Sequence, residues 1–275
     1  MVNSEGSSYG LQFLKLGGSL ITDKSQPHTP RLDTLARLAE EIARMRNKRP
    51  NQKLLLGHGA GSFAHVPASK YGTRQGVHTQ QEWLGFAEVW REASLLDNLV
   101  LEALHKAGLP AIALHPCAAV TAQDGQVASW DLAPIRAALD GGLLPVVHGD
   151  VIFDTIRGGT ILSTEDIFNH LARNLEPHRI LLAGREAGVW ADYPSCTRLI
   201  PEITYANLAD FSDVLEGSAS TDVTGGMSSK VHQMLALTQE IQGLEVIIFS
   251  GEKVGMVEQA LLGSKIGTLI RACGD

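Results

Sequence analysis

The sequence predicts an α/β protein built on a mainly parallel sheet with helices on both faces. Three observations support this. Short apolar runs of strand length alternate with longer segments whose apolar residues recur every three or four positions. The runs are continuous, as expected of strands covered on both sides. Glycine clusters directly follow several of them, where open parallel sheets place their ligand-binding loops.

In chain order, residues 11–16 read as a strand. A helix follows from about Arg31, where Leu32, Leu35, Leu38, Ile42 and Met45 share one face. A second strand is expected over 53–56 and a long helix over 82–106. Buried strands over 111–114 and 144–148 flank a helix over 132–139. Segment 151–161, with Asp154 and Gly158-Gly159, reads as a hairpin. Strands over 179–183 and 245–249, with a helix over 227–242 between them, complete the pattern. A change of lobe is expected near 173–177. That divides the chain into a polar, disordered leader (1–10), a first lobe (11–174) and a second (175–275).

The 275 residues suffice for a large core. With 23 basic and 30 acidic side chains the net charge is −7, and no basic block supplies the footprint nucleic acid requires. No apolar run approaches the roughly 20 residues of a membrane span, so no membrane insertion is expected. Cys117, Cys196 and Cys273 lack CxxC spacing, which argues against a disulfide framework or a thiolate zinc site. The N-terminus lacks the apolar core of a signal peptide, which suggests a cytoplasmic protein.

Three constellations carry chemistry. Lys15-Leu16-Gly17-Gly18-Ser19, with Thr22 and Lys24 beyond, ends a strand in bare backbone amides and two cations that could reach one phosphate group. A tight turn with solvated lysines explains the same residues equally well. Gly57-His58-Gly59-Ala60-Gly61-Ser62-Phe63-Ala64-His65 is a glycine-rich strand-to-helix turn suited to an anion. It is neither a P-loop nor a dinucleotide fingerprint. His58 reads as structural, while His65 is either a capping or core histidine or a phosphate donor. Asp222-Val223-Thr224-Gly225-Gly226-Met227-Ser228-Ser229-Lys230 opens a helix with amides, hydroxyls and a cation, or is an ordinary capped helix. Three further segments end strands or start helices. They are Gly149-Asp150, Ser163-Thr164-Glu165-Asp166 and Ala183-Gly184-Arg185-Glu186-Ala187-Gly188-Val189-Trp190. Asp166 either complements a helix N-terminus, or orients lysines or holds magnesium through water.

In this order the segments resemble the amino-acid kinase superfamily and, within it, the isopentenyl phosphate kinases, over nearly the whole chain from about Leu11. The histidine after Gly-x-Gly-Ser-Phe-x narrows the likeness to members that phosphorylate phosphates and phosphonates. The resemblance implies an open αβα sandwich, usually homodimeric, with the acceptor in the first lobe and ATP in the second. It further implies that Lys15, Lys24, His65 and Asp166 are catalytic. Gly59, Ala60, Gly61, Ser62, His65, Gly149 and Asp150 would bind the acceptor. Lys15, Gly17, Gly18, Ser19, Ala183, Gly184, Gly188, Gly225, Gly226 and Lys230 would bind ATP with Mg2+, and no side chain is assigned as a metal ligand. The sequence departs from the family pattern at Ala60, Ala64, Thr164, Glu165, Arg185 and Ala187.

The implied reaction is ATP-dependent phosphorylation of isopentenyl phosphate to isopentenyl diphosphate, a step in isoprenoid precursor synthesis. A phosphate monoester has a second pKa near 6, so the acceptor is largely dianionic at pH 7 and needs no general base. It needs help against charge repulsion, together with in-line alignment. Phe86 and Trp90, with Trp83, Val89 and Ala93 on the same helix, are expected to wall an apolar slot for the prenyl tail, although that spacing is also what a core face looks like. Rival readings are a fosfomycin-kinase-like phosphonate kinase and a non-enzymatic binding protein on the same scaffold.

Overall fold

A computed structural model gives the fold over residues 10–212 and 226–272. The strands are β1 (Gln12–Leu16), β2 (Leu54–His58), β3 (Ala111–Ala113), β4 (Val120–Gln123), β5 (Gln126–Trp130), β6 (Leu144–His148), β7 (Asp150–Asp154), β8 (Gly158–Leu162), β9 (Arg179–Gly184), β10 (Glu202–Ile203), β11 (Glu245–Ser250) and β12 (Thr268–Ile270). The helices are α1 (Gly18–Ile21), α2 (Leu32–Lys48), α3 (Gly61–Tyr71), α4 (Gln80–Lys106), α5 (Pro116–Ala119), α6 (Ala133–Asp140), α7 (Thr164–Leu175), α8 (Gly226–Glu240) and α9 (Met256–Leu261).

Eight strands form the main sheet in the order β10-β12-β11-β9-β1-β2-β6-β3, and β11 and β12 are its antiparallel pair. From β1 the chain builds toward β2 and β6 on one side and later toward β9 and β11 on the other. The order therefore reverses beside β1, the place where open α/β sheets leave a crevice at their strand ends. A smaller sheet, β5-β4-β7-β8, contains the expected hairpin and joins it to a second, unexpected one. That second hairpin turns at Asp124-Gly125, both at positive φ (49° and 76°), the conformation of the tightest hairpin turns.

Alternation along β1 divides the core between the two faces. Phe13 packs with Leu55, Val147, Ile180 and Val246 beneath α7 and α8. Leu14 packs with Leu54, Leu56, Leu181 and Ile247 beneath α2, α4 and α9. Each fully buried side chain of this kind contributes roughly 1.5–3 kcal/mol. The helix starts are fixed locally. Thr79 and Glu82 form a capping box on α4, and Ser163 and Asp166 form another on α7. Helix α7 lies close over β2 because Gly57 has no side chain: a Cβ there would meet the Phe168 ring at 2.6 Å. This close approach carries the first turn of α7 to the strand ends. The expected leader, apart from Gly10, lies outside the described residues, as do residues 222–225 and Cys273. No helix among the described residues is long and apolar enough to cross a membrane.

Candidate active site

A cleft of about 1060 Å³ opens at the C-terminal ends of β1, β2, β6, β9 and β11. Its floor is backbone. Gly18 follows β1 and Gly61 follows β2, and a Cβ on Gly18 would lie 2.5 Å from the Gly61 nitrogen. Gly61 also has φ +51°, and a Cβ there would meet Thr22 Oγ1 at 2.1 Å. Two threonines join these loops. Thr22 Oγ1 donates to the Gly18 carbonyl at 2.8 Å and accepts from the Ser62 amide at 2.9 Å. Thr164 Oγ1 donates to the His58 carbonyl at 2.7 Å and accepts from the Gly149 amide at 3.1 Å. Across β1, the Gly17 amide donates to the Ala183 carbonyl at 2.8 Å. Glycines from separate strands thus share one rigid rim with little side-chain obstruction.

Cations stand over this floor. Lys15, Lys24, His65 and Lys230 all line the cleft. Glu165, in the first turn of α7, lies between Lys15 and Lys230: one oxygen pairs with Lys15 Nζ and the other lies 3.8 Å from Lys230 Nζ. Burial pushes the Glu165 carboxyl up, but Lys15 and then Lys230 outweigh it and hold it down at about 2. Asp150 also lines the cleft, and it accepts from the amides of Cys117 (3.1 Å) and Val151 (2.9 Å). Burial pushes its carboxyl above the usual aspartate range, against the pull of His148 and those amides. The Cys117 thiol is pushed up to about 12 by burial and then by Asp150, so it is no nucleophile at neutral pH.

Most residues singled out in the sequence meet here. Gly17, Gly18, Ser19, Gly59, Ala60, Gly61, Gly149, Asp150, Ala183, Gly184, Gly188 and Gly226 all line the cleft. Gly225 lies outside the described residues. Four residues stand elsewhere. The Ser62 hydroxyl accepts from the Thr29 amide at 3.2 Å, behind the loop. Asp166 turns back to cap its own helix, accepting from Ser163 N and Oγ at 2.8 Å each, and pairs with Arg74 at 3.1 Å. The carboxylate between the lysines is its neighbour Glu165. Phe86 is 6% exposed and packs edge-on against Trp83 and tilted against Phe153 behind the wall, while Trp90 is 44% exposed. The apolar arm of the cleft is made instead by Ala64, Ala68, Val89 and Ile161.

Among the lining residues that the sequence reading did not name as site residues are Arg74 and Glu165. Arg74 comes from the turn after α3, where no motif marks it. Glu165 was visible only as a departure from the family pattern. Arg185 and Glu186 line the β9 side: Arg185 Nε lies 3.3 Å from Glu252, and Glu186 accepts from Trp190 Nε1 at 2.8 Å.

Comparison with known proteins agrees with this geometry. A family model described as the amino acid kinase family matches residues 10–250. The isopentenyl phosphate kinase of Methanothermobacter thermautotrophicus is 34% identical over 266 residues, covering 94% of this chain and 97% of its own length. That of Haloferax volcanii is 36% identical over 263 residues, covering 95% and 98%. A solved isopentenyl phosphate kinase structure superposes with a TM-score of 0.79 at 30% identity, over 94% of this chain and 99% of its own. With the family model matching residues 10–250 and likeness to these relatives along nearly the whole length, the chain belongs to the amino acid kinase family.

Proposed function

We propose that the protein transfers the γ-phosphoryl group of ATP to isopentenyl phosphate, releasing ADP and isopentenyl diphosphate. The observation that carries this reading is a single cleft lined by glycines that follow separate strands and by Lys15, Lys24, Lys230 and His65, with an apolar arm beside them. The relatives described above carry the name isopentenyl phosphate kinase.

The acceptor phosphate would lie over Gly59, Gly61 and Gly149, within reach of His65, with its tail along Ala64, Ala68, Val89 and Ile161. The nucleotide would occupy the side of β9, β11 and α8, its phosphates directed to Gly17, Gly18 and Lys230. This puts acceptor contacts in residues 11–174 and nucleotide contacts mainly in 175–275. The central problem is repulsion between two anions. At an effective dielectric of 20, unit charges 4 Å apart interact by roughly 4 kcal/mol. Lys15 and Lys24 would neutralise charge on the group in transit, and His65 would donate to the acceptor phosphate and remove no proton. Glu165 keeps Lys15 and Lys230 close to each other, which their mutual repulsion would otherwise oppose.

Among the described residues, every carboxylate lining the cleft already has a partner. Glu165 has the two lysines and Asp150 its backbone amides, while Glu186 has Trp190 and Glu252 has Arg31 and Arg185. Magnesium would therefore be held by nucleotide phosphates and water, and would screen phosphate charge when bound. The reading includes a homodimer working in the cytoplasm. A coupled assay of ADP release tests it. Turnover with isopentenyl phosphate and none with fosfomycin is expected; preference for fosfomycin, or no ADP release with any acceptor, overturns it.

A further inference from the structure

Behind the acceptor-side glycines lies a second group of chemistry-bearing side chains that phosphoryl transfer does not use. His58 and His148 end the paired strands β2 and β6 in direct register. Asp97 from α4 and His115 from the loop before α5 close on them. Asp97 is 0% exposed and His148 2%, whereas the His115 side chain is 35% exposed. Asp97, His115 and His148 each offer one ligand atom, and these atoms lie within 4.8 Å of one another.

The hydrogen bonds suit a metal. His148 Nδ1 faces the Gly149 carbonyl at 3.0 Å, and donation there leaves the lone pair on Nε2. That nitrogen stands 3.3 Å from His115 Nδ1. For bonds of about 2.0–2.1 Å this is roughly the edge of a tetrahedral site. Asp97 Oδ1 pairs with His58 Nε2 at 2.9 Å, the kind of carboxylate–imidazole bond that orients a ligand from outside the coordination sphere. The other oxygen, Asp97 Oδ2, is buried without a hydrogen-bond partner, and His115 Nε2 is 3.6 Å away. Leaving such an oxygen unsatisfied carries its full desolvation penalty; a cation removes that cost.

We infer that Asp97, His115 and His148 form a binding site for a divalent transition-metal ion of the zinc type, with an open position where His115 meets solvent. Two imidazoles and one carboxylate favour zinc or cobalt, whereas magnesium prefers an all-oxygen shell. The site is thus chemically separate from the nucleotide's magnesium. Its ion would tie α4 to the end of β6, directly before the Gly149 loop.

Cobalt titrated into the chelator-treated full chain, without nucleotide or magnesium, is expected to bind at one equivalent. It should show the visible bands of a four- or five-coordinate centre and raise the melting temperature. In His115→Ala the affinity should fall by more than about 100-fold, beyond the 10–100-fold loss typical of removing an outer partner. A purely six-coordinate spectrum, or bands that survive in His115→Ala, overturns the site. The unsubstituted protein gives a second test that needs no variant. Zinc should slow diethyl pyrocarbonate modification of His115, mapped by mass spectrometry, and an unchanged rate overturns the site equally.

Discussion

At the scale of single residues, the chemistry of the cleft depends on where cationic side chains end up. His65 lines the acceptor side while His58, seven positions earlier, is buried against Asp97. The sequence reading treats these two histidines differently, because one closes a strand and the other sits past the glycine turn. His65→Ala should reduce turnover on isopentenyl phosphate by about 10²-fold, the usual cost of losing one charge-stabilising donor, and leave nucleotide affinity within about threefold. Steady-state kinetics with separate nucleotide titrations check this, and equal turnover in variant and parent would remove the histidine's role. The position of Asp166 was not legible. Neighbours on a helix point about 100° apart, and the capping box claims Asp166, leaving Glu165 to face Lys15 and Lys230.

Secondary-structure elements set the shape of the acceptor pocket. Phe86, Val89 and Ala93 share one buried stripe of α4, but only Val89 reaches the cleft. Val89→Ala should therefore lengthen the apolar arm and improve use of longer prenyl phosphates relative to isopentenyl phosphate. An unchanged chain-length profile would exclude Val89 from the wall. Phe86→Ala should instead leave that profile alone and lower stability by about 3–5 kcal/mol through the cavity it opens, as read by denaturant unfolding. Helical spacing told that these residues share a face, not which of them meets the cleft, because neighbouring elements cover the rest of the stripe. At the β1 and β2 ends the backbones touch through Gly18 and Gly61. Gly18→Ala should push these loops apart, reducing kcat by tenfold or more. Retention of full activity would show that the floor tolerates a side chain.

For the whole molecule, the buried Glu165 links both halves of the sheet to stability in acid. Its carboxyl is held down at about 2 against a free value of 4.5. A depressed carboxyl contributes stability fully above its unfolded pKa and loses it as pH falls through the folded value. The contribution, about 3 kcal/mol at neutral pH from the shift alone, should fade between pH 4.5 and 2. Glu165→Gln should therefore flatten the acid limb of the stability curve across that window, measured by urea unfolding at several pH values. A curve parallel to the parent's would show that Glu165 does not carry the effect.

Strand length, continuous apolar runs and the positions of glycine clusters are local properties, and they were enough to read the main parallel sheet and most of the residues around the cleft. The second hairpin was also written locally, in Asp124-Gly125, although its strand β5 is largely exposed and carries little apolar signal. Packing between distant segments decided the rest. It placed Glu165 between the lysines, turned Phe86 and Trp90 away from the cleft, and brought Arg74 to it. It also gathered Asp97, His115 and His148 from three separate elements. Burial and opposing charge depend on which surfaces meet, and residues distant along the chain acquire those neighbours only when the sheet and its helices close around them.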